Sequence, residues 1–206
     1  MKATEDKDVI KDLELTRAFT LLDDKNPDTA SLEFHKIAEK LFEEYQIAKG
    51  NTSYDFEEVE FYLYTEKHKD NHHVYPRECQ AGEWFVHYSG VDLTFQTLKE
   101  GDKITQCGGI LIRRIKKVGE SSVGGPLRCL MELFNGQEEP KLVKKERENV
   151  EPKESSRIGI KNNTMQDERQ YRFVVNENTQ IKTDYCPQYT KDGIVIKPKC
   201  YTYKPK

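Results

Sequence analysis

Glu60 and Tyr62 stand two residues apart in the run Phe56-Glu-Glu-Val-Glu-Phe-Tyr-Leu-Tyr64, and a loop carrying His68, Asp70, His72 and His73 follows at once. In an extended strand successive side chains alternate, so Glu58, Glu60, Tyr62 and Tyr64 share one face and Val59, Phe61 and Leu63 the other. The polar face places a carboxylate and a phenol about 7 Å apart along the strand. An ionised carboxylate so placed can orient or deprotonate a water molecule. Further on, Gly108-Gly-Ile-Leu-Ile-Arg-Arg-Ile115 is apolar enough for a central strand and carries an arginine pair near its end. A guanidinium from Arg113 beside Glu60 would hold the carboxyl ionised and position a water. The same residues also read as a structural ion pair between neighbouring strands, with Tyr62 and Tyr64 as sheet-surface aromatics. The histidine loop could take zinc or nickel, although a local cluster without a distant ligand is more often a solvated loop.

The elements that must hold these groups follow from periodicity. Residues 8–22 repeat apolar side chains at helical spacing up to the turn at Asn26-Pro27-Asp28, and Ser31 to Lys49 does so again through Phe34, Ile37, Ala38, Leu41 and Tyr45, with Gly50 as its stop. Gly82 to Phe95 reads as two short strands meeting at Ser89-Gly90, with Trp84 in the first. Gly101-Asp102 marks a turn, Gly124-Gly-Pro126 a break, and Leu127 to Phe134 a short helix. Residues 136–156 are blocks of Glu and Lys and predict a solvated or mobile connector. Arg157-Ile-Gly-Ile160 and Tyr171-Arg-Phe-Val-Val175 are strand candidates, and Ile194-Val-Ile196 suggests a late hairpin strand. Two helices followed by many short strands indicate one α+β domain over 1–206, in which N-terminal helices (1–50) pack on a strongly curved, mostly antiparallel sheet or open barrel (54–175), with a C-terminal extension (176–206).

Composition narrows the class. Hydrophobic residues make up 35% of the 206 and charged residues 33%, with a formal net charge of -3, so the chain lacks the basic excess usual for a strong nucleic-acid binder. A local basic patch can still coexist with an acidic remainder. The five cysteines, Cys79, Cys107, Cys129, Cys186 and Cys200, include no Cys-x-x-Cys pair and read as reduced thiols. No apolar run reaches spanning length, and the first residues lack a signal-peptide core, so the expectation is a cytoplasmic, monomeric protein without a membrane role.

Four segments together resemble the alkyladenine (3-methyladenine) DNA glycosylase family. Val59-Glu60-Phe-Tyr62-Leu is similar to the family's strand bearing the catalytic Glu and a base-stacking Tyr. His72-His73 falls where a second stacking residue, a His, is expected. Gly109-Ile-Leu-Ile-Arg113 is similar to the strand ending in the Arg that holds the attacking water. Arg157-Ile-Gly-Ile and Arg172-Phe-Val-Val175 look like the late Arg-x-Gly and Arg-Phe-x-Val segments, where the carbonyl at Val175 would also touch the water. The pocket Tyr of the family matches His87, its intercalating Tyr-Gly matches Ser89-Gly90 with Tyr88 one step away, and its purine-screening Asn falls near Phe95-Gln96. A serine cannot wedge a base stack, so the catalytic positions are better matched than the DNA-handling ones.

The resemblance implies a monofunctional DNA repair hydrolase that cleaves the N-glycosidic bond of alkylated or deaminated purines, using Glu60, Arg113 and Val175 at the reaction centre. Tyr62, His72, His73 and His87 would hold the base and Tyr88, Ser89, Gly90 and Gln96 would face DNA. It implies no cofactor and no metal, damaged DNA (single strands included) as partner, and a fold related to the C-terminal domain of methionyl-tRNA formyltransferase. The alternative on the same fold is a catalytically degenerate nucleobase or nucleic-acid binding module.

Overall fold

A computed structural model describes residues 7–16, 19, 28–66, 68, 70, 74, 77–145, 149–162, 165–166, 169–175, 188–189 and 195–196. His72 and His73 lie outside the described residues.

The first predicted helix is short. α1 spans Lys7–Asp12 and ends where Glu14 takes a positive φ of 54°, a left-handed conformation that breaks the helical path. Leu13, Leu15 and Phe19 nevertheless reach the core. α2 (Asp28–Glu44) carries the expected apolar stripe, with Ala30, Phe34, Ile37, Ala38, Leu41 and Phe42 all buried.

The second helix stops five residues earlier than its periodicity predicts. Tyr45–Lys49 is a strand, β1, that follows α2 without a loop. In Tyr-Gln-Ile-Ala-Lys the side chains alternate between buried and half-buried, and β1 finds hydrogen-bonding neighbours on both edges, which outweighs local helix preference. Gly50 then serves a hairpin turn into β2 (Thr52–Thr65) rather than a helix stop.

β3 (Trp84–His87) and β4 (Gly90–Thr94) form the predicted hairpin, and β5 (Leu98–Glu100) turns at residues 101–102 into the long β6 (Lys103–Lys117). β7 (Ser122–Gly124) folds back on β6 before α3 (Pro126–Phe134), which begins with proline at its first turn. The charged connector is partly sheet: β8 (Lys141–Lys144) pairs with β1, and β9 (Lys153–Ser155) with a later strand. Lys141 and Lys144 of β8 and Lys153 and Glu154 of β9 are exposed and Leu142 is buried, while the backbone is paired. Residues 157–160, expected as a strand, form a loop. Two-residue strands β10 (Lys161–Asn162) and β11 (Met165–Gln166) pair with each other, β12 (Arg172–Val174) joins β2, and β13 (Gln188–Tyr189) pairs with β14 (Val195–Ile196).

Ten strands make one sheet in the order β3-β4-β6-β2-β1-β8, with β5 and β7 also on β6, β12 on β2 and β9 on β12; every described pairing is antiparallel. The sheet curves into a half-barrel with α2 packed against it, an α+β architecture. Val59 faces Ile112 and Phe61 faces Ile110 across β2 and β6. Phe61 stacks on Phe34 of α2 at 4.6 Å, and Tyr171 and Phe173 meet these two rings edge-on. Among the described residues no helix is long and apolar enough to cross a membrane.

The opposite face depends on a glycine. A Cβ on Gly109, in the middle of β6, would lie 2.7 Å from Arg77 Nη2 and 2.9 Å from the Leu93 carbonyl oxygen. The missing side chain is what lets the Arg77 guanidinium lie directly on the strand. Gly109→Ala is therefore expected to cost about 1–3 kcal/mol through overpacking, seen as a lower urea midpoint; an unchanged midpoint would show that this approach is not tight.

Candidate functional site

β2 is buried on both faces. Glu60 has no exposed surface and Glu58 is 3% exposed, so the face that alternation assigns to polar residues is not a solvated one. Both carboxylates are held by arginines. The register of β2 on β6 slips around Glu57 and Arg113: Glu58 pairs with Arg114, but Val59 already pairs with Ile112. Consecutive strand residues ordinarily point to opposite faces. The irregularity lets both arginines reach one carboxylate, with Arg113 Nε 3.1 Å from Glu58 Oε1 and Arg114 Nη2 3.1 Å from Oε2. Arg172, opposite Glu60 on β12, adds a third cation at 2.7 Å from Glu58 Oε1.

Arg113 bridges to Glu60 as well, donating from Nη1 to Oε2 at 3.2 Å. The Tyr62 hydroxyl donates to that oxygen at 2.8 Å, and the Ile158 backbone N–H donates to Oε1 at 2.7 Å. Burial and the neighbouring Glu60 charge push the Tyr62 phenol well above its ordinary value, which keeps it protonated and a donor. Burial alone would raise Glu58, but the charges of Arg113, Arg172 and Arg114 outweigh it and hold the carboxyl below the usual range.

A second buried knot fixes the loop that supplies Ile158. Arg157 donates to both oxygens of Asp70, at 2.6 and 3.1 Å, and to the Phe61 carbonyl at 3.0 Å, while Arg169 reaches Asp70 at 2.9 Å. The Arg157 guanidinium also lies 4.6 Å from the Tyr62 ring centre. This demand for a bidentate buried partner accounts for residues 157–160 forming a loop rather than a strand. His68, once a candidate metal ligand, instead bonds the Leu63 carbonyl at 2.7 Å and the Tyr171 hydroxyl at 2.9 Å, and burial lowers its pKa and keeps it neutral. No group of three metal-binding side chains occurs among the described residues.

Above this floor opens a cavity of about 350 Å³. Tyr62, Arg113, His87, Tyr88 and Ser89 all line it, five of the sequence-selected residues on one surface. Arg77 and Asp92 add charge to the wall, and Val74, Leu111, Ile158 and Ile160 supply its apolar part. Gly90 sits at the tip of the hairpin, directly after the turn, where a Cβ would meet Pro126 at 2.7 Å, so the glycine lets α3 press directly on the β3–β4 tip. Tyr88 at that tip is 80% exposed. Asp92 Oδ1 lies 3.1 Å from His87 Nε2, and its other oxygen 2.8 Å from Arg77 Nη2, a contact that is coulombic rather than an aligned hydrogen bond. Arg77 rests 4.3 Å over the Phe85 ring.

Gln96 and Val175 stand apart from the cavity. The Gln96 carbonyl and side chain bond Gln106, Ala81 and Thr97 in the chain's own turns, and the Val175 N–H donates to the Glu57 carbonyl at 3.0 Å. Opposite Glu60 on β12 is Arg172, not Val175. Sequence reasoning gave no role to Arg77 or Asp92, weighed Asp70 only as a metal ligand in the histidine loop, and took Arg157 only as part of an Arg-x-Gly segment. Asp92 offered the clearest signal, a carboxylate between Val91 and Leu93 in an otherwise apolar strand.

No protein-family model matches the chain, and neither does any curated protein or solved structure.

The Glu58 cluster has a measurable sign. Because its carboxyl is depressed in the folded protein, its ion pairs stabilise the fold above the ordinary value of about 4.3 and that contribution is lost as pH falls through the depressed value. Glu58→Gln should lose about 3–5 kcal/mol at pH 7 in urea unfolding, and the gap to wild type should narrow steadily below pH ~4. A gap independent of pH would separate the loss from the charge.

Proposed function

We propose that the cavity holds a purine-type base presented by a DNA strand, in a pocket of DNA-glycosylase-like design. The observation that carries this reading is convergence: Tyr62, Arg113, His87, Tyr88 and Ser89, chosen by sequence resemblance from three separate strands and a turn, line one cavity above Glu60. Its volume is at the small end for ligand pockets, where about 300 Å³ is the lower bound, and suits a nucleobase better than a bulky ligand. Tyr62 and His87 supply ring faces and hydrogen-bonding edges. Tyr88, with most of its surface in solvent at the mouth, is placed to stack on a neighbouring base, the work that Ser89 cannot do.

Glu60 decides between holding a base and releasing it. All three of its donors, Tyr62, Arg113 and Ile158, contact the carboxylate directly, and Arg113 stands at hydrogen-bond distance with no water between them. That arrangement favours a fixed anion beneath a binding pocket. Hydrolysis of the N-glycosidic bond of an alkylated or deaminated purine is the second reading, and one observation favours it: both side chains bonded to Oε2 belong to the cavity wall, so this oxygen is one layer from a bound base. Catalysis would require the Ile158 loop to withdraw and admit water to Glu60.

Single-turnover excision tests both readings. Single-stranded and duplex oligonucleotides carrying hypoxanthine, ethenoadenine or methylated adenine are incubated with wild type and Glu60→Gln, with alkali-labile sites and retention of the oligonucleotide as readouts. Retention that prefers the lesion strand and weakens on Tyr88→Ala is the expected result. Strand cleavage that falls by about 10²–10⁴ in Glu60→Gln would establish the hydrolase. Neither retention nor cleavage by folded protein would overturn the nucleobase reading.

A further inference from the structure

We propose that Ser89, His87 and Asp92 form a reactive centre in the wall of the cavity, a serine nucleophile suited to acyl transfer from small uncharged esters. Ser89 Oγ lies 2.8 Å from His87 Nδ1, and His87 Nε2 lies 3.1 Å from Asp92 Oδ1. A carboxylate only accepts, so Asp92 fixes the proton of neutral His87 on Nε2. Nδ1 is then left with its lone pair facing the serine hydroxyl. That is the arrangement a general base needs to activate a weak nucleophile, with a third group orienting the base.

The fold places the three groups by register rather than by chance proximity in a long loop. His87 pairs with Gly90 across a two-residue turn, and Asp92 pairs with Phe85 on the same hairpin. Asp92 is 5% and His87 9% exposed in their side chains, and Arg77 fixes the far oxygen of Asp92. Ser89 stays half-buried at the tip, so the nucleophile is reachable while its base and orienter are enclosed. All three line the same cavity as Arg77 and Arg113. Each of those two cations is ion-paired, Arg77 with Asp92 and Arg113 with Glu58 and Glu60, so a bound acyl donor need not bring a counter-charge of its own.

The chemistry closes without any outside redox partner. Ser89 Oγ forms a bond to the acyl carbon while its proton passes to His87 Nδ1, the ester C–O bond breaks, and the departing alkoxide takes that proton as alcohol. A water then attacks the acyl-serine carbonyl as its proton passes to His87 Nδ1, the acyl C–Oγ bond breaks, and His87 returns that proton to Ser89 Oγ as the carboxylic acid is released. The proposal shares His87 and the cavity with the nucleobase reading but uses neither Glu60 nor DNA, so labelling of Ser89 and retention of an oligonucleotide fail separately.

An alkyl fluorophosphonate is the direct probe: Oγ bonds to phosphorus, fluoride leaves, and the adduct is stable to mass spectrometry. The full chain should gain one adduct, mapped to the Ser89 peptide, absent in Ser89→Ala and slowed at least 10²-fold in His87→Gln. With p-nitrophenyl acetate, the wild type should release a stoichiometric burst of p-nitrophenolate. An adduct at other residues, no adduct, or an equal rate in His87→Gln would overturn the centre. Should His87→Gln fail to fold, presence or absence of the wild-type burst decides the matter.

Discussion

Carboxylates can be buried on the outer face of the β2–β6 ribbon only because three arginines come to them from the two neighbouring strands. Glu58 is met from β6 by Arg113 and Arg114 and from β12 by Arg172, and Arg113 extends the same pairing to Glu60. Removing a charge from water costs several kcal/mol even after relaxation, so each of these ions depends on the others for its presence. The paired register of β2 and β6 bends to satisfy them. An uninterrupted ladder would send Arg113 and Arg114 to opposite faces, and the slip around Glu57 and Arg113 brings both to one acceptor.

Two cores thus share one sheet. On one face, Phe34, Phe61, Tyr171 and Phe173 interlock and supply ordinary hydrophobic stabilisation. On the other, polar side chains are as buried as those rings but are held by directed bonds. The Arg157 loop belongs to both: its guanidinium is locked on Asp70 and the Phe61 carbonyl, and its next backbone N–H closes over Glu60. A loop anchored by a buried bidentate pair moves only when that pair opens, which makes it a stiff cover over Glu60 and a fixed part of the cavity lining.

Periodicity made most of the strands legible, because alternation in residues 56–64 and the apolar run 108–115 leave little choice of period. The β3–β4 hairpin and the proline start of α3 were legible from turn chemistry. The end of α2 was not. Phe34 through Tyr45 keeps a helical spacing into Tyr45–Lys49, and only pairing with β2, next in the chain, and with β8, far away in sequence, converts those five residues to strand. Residues 157–160 failed for the converse reason: Ile158 and Ile160 alternate like a strand, but Arg157 is claimed by Asp70, 87 positions earlier. The grouping of Glu60, Tyr62 and Arg113 was legible through resemblance. The depth of their burial was not, since a Glu-Tyr alternation reads as a solvated face until a second layer of arginines is known to cover it.

The position of that ionic layer bears on what the protein is built for. Well-packed apolar residues of similar volume commonly match or exceed the stability of a buried ion network. A sequence shaped for stability alone would have little reason to place Glu58, Glu60, Asp70 and Asp92 beneath one cavity. Local rules fail together here, in a broken register, an arginine-anchored loop and a glycine that admits Arg77, and such coincident failures are expected at sites rather than scattered through a scaffold. The charged side chains of the wall, Arg77, Asp92 and Arg113, are all ion-paired, so the cavity's selectivity rests on shape, ring faces and oriented donors as well as on charge. That places the discriminating power of the site in Tyr62, His87 and the hairpin tip that carries Tyr88 and Ser89.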